Sequence, residues 1–596
     1  MKKRVADIVM DILCQQGITD CFAVVGGGAM HLDNALAVCE KMTKYFNHHE
    51  QACAMAAEAY ARYSGKVAAV CVTSGPGGTN TLTGVMGAWQ DSLPMIVISG
   101  QVRYETTIDS CGLPLRHRGL QEFDILGSIK NMTKYSVMIK NPLEIKRELI
   151  KAINISRTGR RGPVWIDIPL DIQSAIVEES ELYPEFTPES IIKINQNEMD
   201  SIISELNSAK RPCILAGSGI ISSGNRDKFH KAFINSNIPI VGGAWVCDIH
   251  SMNVDNYYGI SGNIGPRTGN FIIQNADVIL VLGSSLAFRQ TGFAQEKFAP
   301  NARIIMLDVD EAEPCKPGLH IDKFIHADLS DFLDKCIQTT LELVVSKEWK
   351  NYCDSLKQKF TPYEALENYD TTERVCSYYF WHEFAKYAKQ DTILALGNNT
   401  ANTAKLQIGI SELEQRCLTN YTCGSMGYDL PAAIGAAVAS KKEVICATGD
   451  GSIMMNLQEL QTIKHYNLPV KIVVFSNDGY NAIRQTCKNF FNNTYIGCTE
   501  DSGISFPSFE DVAHTFNFDY KLCANGKSVD KSLEWLFESE KPVILEVEQL
   551  FDDPVIPKVM SRLKADGTFD TPALHDMAPF LDEKELDSLM LWGNNE

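Results

Sequence analysis

Short apolar runs alternate with stretches of helical periodicity along the whole chain, and this alternation constrains the fold more than any other feature. A buried parallel strand reads as a short, continuous aliphatic run, and the crossover helix that follows reads as a longer periodic stretch. Repetition of that pair builds sheets with helices on both faces. Cys21–Val25, Val67–Val72, Met95–Ser99 and Val164–Ile168 are read as strands, Thr43–Phe46 as strand-like, and Glu50–Ser64 and Thr79–Asp91 as helices between them. A polar stretch after Pro169, carrying Glu178, Glu179, Glu181, Glu185 and Glu189, separates this unit from a second. The second has strands at Pro212–Leu215, Ile238–Val241, Val278–Leu282 and Ile304–Leu307, followed by a charged helical connector over Lys347–Thr372. A third unit has strands at Thr392–Leu396, Glu443–Ala447, Lys471–Phe475 and Val543–Val547. The expectation is an α/β protein of three doubly wound parallel-sheet domains, residues 1–175, 190–345 and 373–552, with a tail or lid over 553–596.

Composition narrows the functional classes. Of 596 residues, 45% are hydrophobic and 22% charged, which is ordinary for globular domains and rules out a disordered or fibrous chain. The net charge of −19 repels phosphate backbones and anionic lipid headgroups, so neither nucleic acid nor a membrane is an expected partner. Lys2, Lys3 and Arg4 could begin a signal peptide, but Asp7 and Asp11 interrupt the apolar residues that follow. Val5, Ile8, Val9, Ile12 and Leu13 instead share one helix face. The 18 cysteines are scattered without a C-x-x-C pair, a pattern suited to a reducing compartment, and the expected location is the cytoplasm.

The sharpest chemical signal is Gly449-Asp450-Gly451-Ser452, placed directly after a strand, with Asn477-Asp478-Gly479 leaving the end of the next one. The glycines let the backbone approach a phosphate, and the helix that starts at this turn points its positive end at the anion. Asp450 and Asn477 supply hard oxygen ligands of the kind that hold Mg²⁺ between protein and diphosphate. In the first unit, Glu50 stands between a strand-like run and a helix, where a carboxylate favours the positive helix end.

The spacing from Gly449 to Asn477 resembles the diphosphate-binding motif of thiamine diphosphate enzymes, and the likeness extends along essentially the whole chain. Phe22-Ala23-Val24-Val25-Gly26-Gly27-Gly28, Ser74-Gly75-Pro76-Gly77-Gly78-Thr79-Asn80, Gln121-Glu122-Phe123-Asp124 and Gly162-Pro163-Val164-Trp165 are similar to segments of acetolactate synthases. The resemblance implies Glu50 as the carboxyl group that hydrogen-bonds the aminopyrimidine ring, with Gly27 and Gln121 beside the reacting carbon. It places Gly26, Thr73, Pro76 and Asn80 among the residues that bind the cofactor. Gly424 and Met426 would hold the cofactor bent, and Asn398, Asn399, Gly449, Gly451, Ser452 and Gly479 would face its diphosphate. Asp450, Asn477 and the Gly479 carbonyl would hold Mg²⁺. The activity implied is decarboxylation of a 2-oxo acid, with pyruvate the expected donor, and transfer of the two-carbon unit to a carbonyl acceptor. Glu50 and the diphosphate site come from different domains, so the resemblance also implies a homodimer at minimum and a homotetramer as the expected assembly.

The central domain and the acceptor stay open at this point. Gly217-Ser218-Gly219, Gly262, Gly265, Arg289 and Asp308-Val309-Asp310 fall where flavin-containing acetolactate synthases bind FAD, yet Gly217-x-Gly219 lacks the full G-x-G-x-x-G spacing. FAD-bound and FAD-free states therefore both stand. Arg289 matches an arginine that reads an acceptor carboxylate, a task suited to a guanidinium fork. His31 is a candidate substrate contact, and His48 and His49 are either proton relays or structural. Thr486 stands where acetolactate synthases carry an acceptor-selecting tryptophan. Ser561-Arg562, Asp566-Gly567 and His575–Leu581 are similar to acetolactate-synthase-like enzymes of polysaccharide and unusual-sugar pathways, where the acceptor is a keto-sugar nucleotide. A non-oxidative decarboxylase that releases aldehyde and a catalytically silent scaffold or regulatory subunit are the alternatives.

Overall fold

The computed structural model describes residues 1–592 except 189, 234, 245, 340–342, 421 and 564–568. Glu189 and the Asp566-Gly567 pair lie outside the described residues. Three six-stranded sheets, each wholly parallel, carry the chain. The first comprises β1 (Asp20–Ala23), β2 (Thr43–Phe46), β3 (Ala69–Val72), β4 (Met95–Gln101), β5 (Tyr135–Met138) and β6 (Pro163–Pro169), in the order β2-β1-β3-β4-β6-β5. The second comprises β7 (Pro212–Ala216), β8 (Ile240–Gly242), β9 (Tyr257–Ile260), β10 (Val278–Leu282), β11 (Arg303–Asp308) and β12 (Lys323–His326), in the order β9-β8-β7-β10-β11-β12. In the third, β13 (Ile393–Leu396), β14 (Arg416–Leu418), β15 (Val444–Gly449), β16 (Val470–Ser476), β17 (Asp519–Cys523) and β18 (Val543–Glu548) run β14-β13-β15-β16-β18-β17. The first and third sheets therefore share one topology.

The helices that matter for the site are α1 (Glu50–Ser64), α2 (Arg267–Asn275), α3 (Thr400–Ile408), α4 (Asp429–Ser440) and α5 (Asn481–Phe490). α1 is rich in alanine and ends at Gly65, whose φ of 68° supplies the left-handed turn a helix end needs. α1 packs on α4, and the two belong to one apolar core that spans the first and third sheets. Small residues make the approach close: a Cβ on Gly435 would stand 2.0 Å from the Ala56 carbonyl oxygen. Charge completes the contact, because mostly buried Arg62 pairs with Glu58 and Asp91 while the Tyr428 hydroxyl donates to Glu58 at 2.6 Å.

Strand order fixes where ligands can bind. In a doubly wound sheet the crevice opens beyond the carboxyl ends of two adjacent strands whose connections run to opposite sides. Here that reversal falls between β1 and β3, between β7 and β10, and between β13 and β15. The loops at those three points are Gly26–Gly28 with Thr73–Pro76, Gly217–Gly219 with Gly283–Ser285, and Gly397–Asn399 with Asp450–Ser452.

The tail runs back over the central domain. Buried Arg267 on α2 donates to the Met577 and Pro579 carbonyls, Asn270 donates to Leu574 at 3.0 Å, and Arg211 lies 4.0 Å from the Trp592 ring. Among the described residues no helix is long and apolar enough to cross a membrane.

Candidate active site

The third sheet's switch point forms a cavity of about 170 Å³ lined by Asn398, Asn399, Met426, Gly449–Ser452, Asn477 and Gly479–Ile483. Asp450 begins a short helix directly after β15, and its buried carboxylate accepts from the main-chain nitrogens of Gly451 (2.7 Å), Asn477 (2.9 Å) and Gly479 (3.3 Å). Burial pushes the Asp450 carboxyl up to about 6, and those three N–H groups oppose the shift. Gly479 has φ 146°, and a Cβ there would lie 2.0 Å from the Cys498 carbonyl oxygen, so the turn requires glycine. Gly451 has the same need for another reason, since the Tyr480 ring would be 2.1 Å from its Cβ.

Asn399 is the residue most informative about a ligand. Its Oδ1 caps α3 by accepting from Asn402 at 2.8 Å, while its Nδ2 is buried with no hydrogen-bond partner. A buried amide donor without an acceptor costs about 1–3 kcal/mol, and an anion in the cavity would satisfy it. The donor set thus fits a diphosphate. One carboxylate, one amide oxygen and one carbonyl, all hard oxygens, also fit Mg²⁺ shared with phosphate. The Ser452 hydroxyl donates to Asp429 at 2.7 Å and accepts from Gly427 at 2.9 Å, so its one donor is taken inside the protein. Asn398 donates to the Gly424 carbonyl at 2.8 Å, which leaves that oxygen one further lone pair.

The first sheet's switch point gathers the other group of residues. Glu50 opens α1, and its Oε2 accepts from Asn80 Nδ2 at 2.9 Å. Thr73 Oγ1 accepts from the Gly28 nitrogen at 3.0 Å, and a Cβ on Gly26 would meet Thr73 at 2.5 Å. Pro76 opens the short helix Pro76–Asn80. Gln121 has φ 62°, unusual for a residue with a side chain, and its carbonyl oxygen would be 2.5 Å from a Cβ on Gly75, itself at φ 58°. Gly27 begins a 3₁₀ turn with open space around it, and His31 sits half-buried on the helix that follows. His49 is an N-cap whose Nδ1 accepts from the Gln51 main-chain nitrogen at 3.1 Å, and the His48 main-chain nitrogen donates to Glu459 at 3.0 Å.

The third-sheet cavity is lined by third-domain residues, and neither Glu50 nor Gln121 is among them. Arg289 is elsewhere again. It lies exposed at the edge of a cleft of about 320 Å³ at the second sheet's switch point, together with Ser218, Gly219, Gly283, Ser285 and Asp308. There Gly217 and Gly219 let two loops close on each other: their Cβ atoms would come within 2.2 and 2.7 Å of the Gly283 oxygen. Thr486 is exposed on α5 and donates to Ala482 at 3.1 Å. Arg562 pairs with Asp576 within the tail, and His575 meets Gln274 of α2 at 3.3 Å, so this part of the tail packs on itself and on the central domain.

Three residues around the cavity are absent from the sequence-based assignment. Arg484 is fully buried, donates from Nη2 to both the main-chain and side-chain oxygens of Asn477 at 3.0 Å, and stacks on Phe551 at 3.9 Å. Gln549 accepts from Asn477 Nδ2 at 2.8 Å and donates to Asp553 at 2.9 Å. A usable signal existed for Arg484 alone: Asn481, Arg484 and Cys487 share the buried face of an amphipathic helix, and a buried arginine needs fixed acceptors.

Comparison with known proteins decides the family. The chain matches the N-terminal thiamine pyrophosphate binding domain over residues 3–128, the central domain of thiamine pyrophosphate enzymes over 199–336, and the C-terminal binding domain over 395–547. The chain belongs to the thiamine pyrophosphate enzymes, as an acetolactate synthase-like member. It is 29% identical to the acetolactate synthase isozyme 1 large subunit of Escherichia coli K12, over 93% of this chain and 95% of that protein. The large subunit from Lactococcus lactis is also 29% identical, over 97% of both. A chloroplastic acetolactate synthase 2 from Zea mays is 28% identical, over 93% of this chain and 87% of that protein.

Proposed function

We propose that this enzyme decarboxylates a 2-oxo acid, with pyruvate as donor, and joins the resulting two-carbon unit to a carbonyl acceptor. The observation that carries this reading is the buried Asn399 donor facing the Asp450 carboxylate's cavity at a sheet switch point. Thiamine diphosphate, when bound, supplies the electron sink into which the carboxylate's bonding electrons pass as CO₂ leaves. The chain's own residues bind and orient. Asn399 Nδ2 would donate to the diphosphate, and Asp450, the Asn477 amide and the Gly479 carbonyl would hold Mg²⁺. Asn80 fixes Glu50 Oε2, which leaves Oε1 as the atom able to hold or give a proton. Gln121, held in its unusual backbone conformation against Gly75, would face the substrate.

A complete site needs Glu50 and the Asp450 cavity together, and the reading that supplies both is a homo-oligomer in which two chains share each site. Exposed apolar side chains flank both groups, including Val25, Met30 and Leu120 on one side and Ile483, Phe490 and Ile496 on the other. All 18 cysteines are free, which supports a cytoplasmic enzyme. The central cleft, with Ser218, Ser285 and Asp308 suited to ribose and phosphate oxygens, is proposed as the FAD site. Visible flavin absorption of the purified protein tests it.

The experiment for the activity is incubation with pyruvate, thiamine diphosphate and Mg²⁺, with CO₂ and products followed by mass spectrometry. Acetolactate from pyruvate alone identifies a second 2-oxo acid as acceptor. Turnover that waits for a keto-sugar nucleotide identifies that acceptor instead. Free acetaldehyde as the only product overturns the carboligase reading in favour of simple decarboxylation, and no consumption of any 2-oxo acid overturns both.

A further inference from the structure

The seam between the second and third sheets buries a positive charge without a counter-charge. Lys405 lies in the last turn of α3 and is 5% exposed. Its Nζ donates to the Gly409 carbonyl at 2.6 Å and stands 5.8 Å from the centre of the Trp381 ring. Among the described residues it joins no ion pair with a carboxylate. An ammonium has three donors, and the carbonyl engages one of them. The partial charge at the end of α3 amounts to roughly half a unit, so the lysine remains under-compensated. Burial of such a group is costly unless an anion meets it.

A cavity of about 170 Å³ adjoins this lysine, more than ten times the ~10–15 Å³ that one ordered water requires. Its walls are mainly apolar, with Phe384, Leu394 and Ile408 among them, and Asn253 and Ala385 on the exposed side. Tyr363 also lines it and has no hydrogen bond from its hydroxyl among the described residues. Arg416, the other cation in the lining, is already engaged by Asp248 at 2.8 Å. The cavity bridges two domains: Met252 donates to Ile410 at 2.8 Å, and Asn253 donates to Ser411 at 2.9 Å across the same seam.

We propose that this cavity binds a small aliphatic monocarboxylate, with the carboxylate on Lys405 and Tyr363 and the alkyl chain among Phe384, Leu394 and Ile408. One cation that joins no ion pair among the described residues suits one negative charge, and a phosphate would lack the guanidinium forks or clustered N–H groups that usually hold it. Because residues of both domains line the cavity, occupancy ties the central domain to the third and stabilises the pair.

Butyrate is the probe, since it lacks the 2-oxo group that the active site requires. Thermal unfolding of the full-length holoenzyme is followed against butyrate, against uncharged butyramide and against chloride at matched ionic strength. The expected result is a saturable rise in Tm with butyrate only. Lys405→Met should weaken the apparent affinity by about tenfold or more, and Lys405→Arg should keep most of it. A rise equal in butyramide or chloride, or one unchanged in Lys405→Met, overturns the proposal. If Lys405→Met does not fold, crystals of the wild-type protein soaked with 4-bromobutyrate decide the matter. Anomalous bromine signal between Phe384 and Ile408 supports the site, and its absence there overturns it.

Discussion

At the scale of single residues, the site depends on a few side chains whose partners are fixed. Glu50→Gln keeps the hydrogen bond from Asn80 in form but removes the proton the carboxyl would exchange. We expect a loss of about 10²–10⁴-fold in pyruvate decarboxylation with thermal stability unchanged, measured by CO₂ release and unfolding in parallel. Arg484→Met should act differently. It removes the one nitrogen, Nη2, that holds both oxygens of Asn477 and leaves the buried Asn477 carbonyl without that donor, a cost of about 1–3 kcal/mol. The Mg²⁺ needed for half-maximal thermal stabilisation with thiamine diphosphate should rise about tenfold, and Arg484→Lys should restore it only in part, because an ammonium can donate to Asn477 but lacks the planar face that stacks on Phe551. Asp167 gives a pH prediction. It is buried on β6, accepts from Ser99 at 2.6 Å and Gln101 at 3.1 Å, and is pushed up to about 7 by burial. Its folded-state value lies above the ordinary carboxylate value, so the folded state keeps a proton that the unfolded state has lost. This residue's contribution to stability therefore falls as pH rises from about 4 to about 7 and is level above that. Urea unfolding from about pH 5 to about pH 8 should show a smaller decline in Asp167→Asn than in the parent chain. The residues read from sequence and those missed differ in one physical respect. Gly449–Ser452 and Glu50 sit in local turns whose chemistry is visible in a few neighbouring letters. Arg484, Gln549 and Asp553 serve the same cavity from positions set by packing between distant segments.

At the scale of elements, the helices α1 and α4 show how small residues bring the first and third sheets together. Gly435→Val would drive side-chain atoms into the Ala56 carbonyl, where even a Cβ would come within 2.0 Å. The expected cost is about 3 kcal/mol, seen as a lower Tm and as faster proteolysis between the domains. Arg62→Met should cost about 3–5 kcal/mol, since it leaves Glu58 and Asp91 buried without their shared cation. The same elements show what periodicity can and cannot reveal. Interior strands such as β10 and helix α1 are long, uniform and buried, so their patterns are plain. In the three six-stranded sheets the strands that escape the reading are β5, β9, β12, β14 and β17, all at sheet edges. β5 is half-buried throughout, β14 has three residues, and β17 mixes Asp519 and Lys521 with Leu522. An edge strand pairs on one side only and can carry polar residues, which erases the aliphatic run. The stretch expected as one helix over Thr79–Asp91 is two, Pro76–Asn80 and Leu82–Gln90, because the first turn starts at Pro76 beside the Gly75 loop.

At the scale of the whole molecule, three sheet switch points hold the three groups of candidate residues, and Glu50 is not among the residues that line the Asp450 cavity. A shared site between two chains makes a sharp prediction. Glu50→Gln and Asp450→Asn homodimers should each be inactive for different reasons. When the two variants are unfolded together or co-expressed in equal amounts, random assembly makes about half of the dimers mixed. Each mixed dimer has one site with both Glu50 and Asp450 intact and one site with neither. Activity should therefore return to roughly a quarter of the wild-type level per chain. If Glu50 and Asp450 worked within the same chain, every site in the mixture would carry one lesion and no activity would return. The apolar side chains exposed around both groups, Leu120 at 89% and Ile496 at 77% among them, would lose that exposure in the assembled dimer. Replacing Leu120 with Glu should then raise the concentration at which activity falls on dilution, while leaving the fold of each chain intact by circular dichroism.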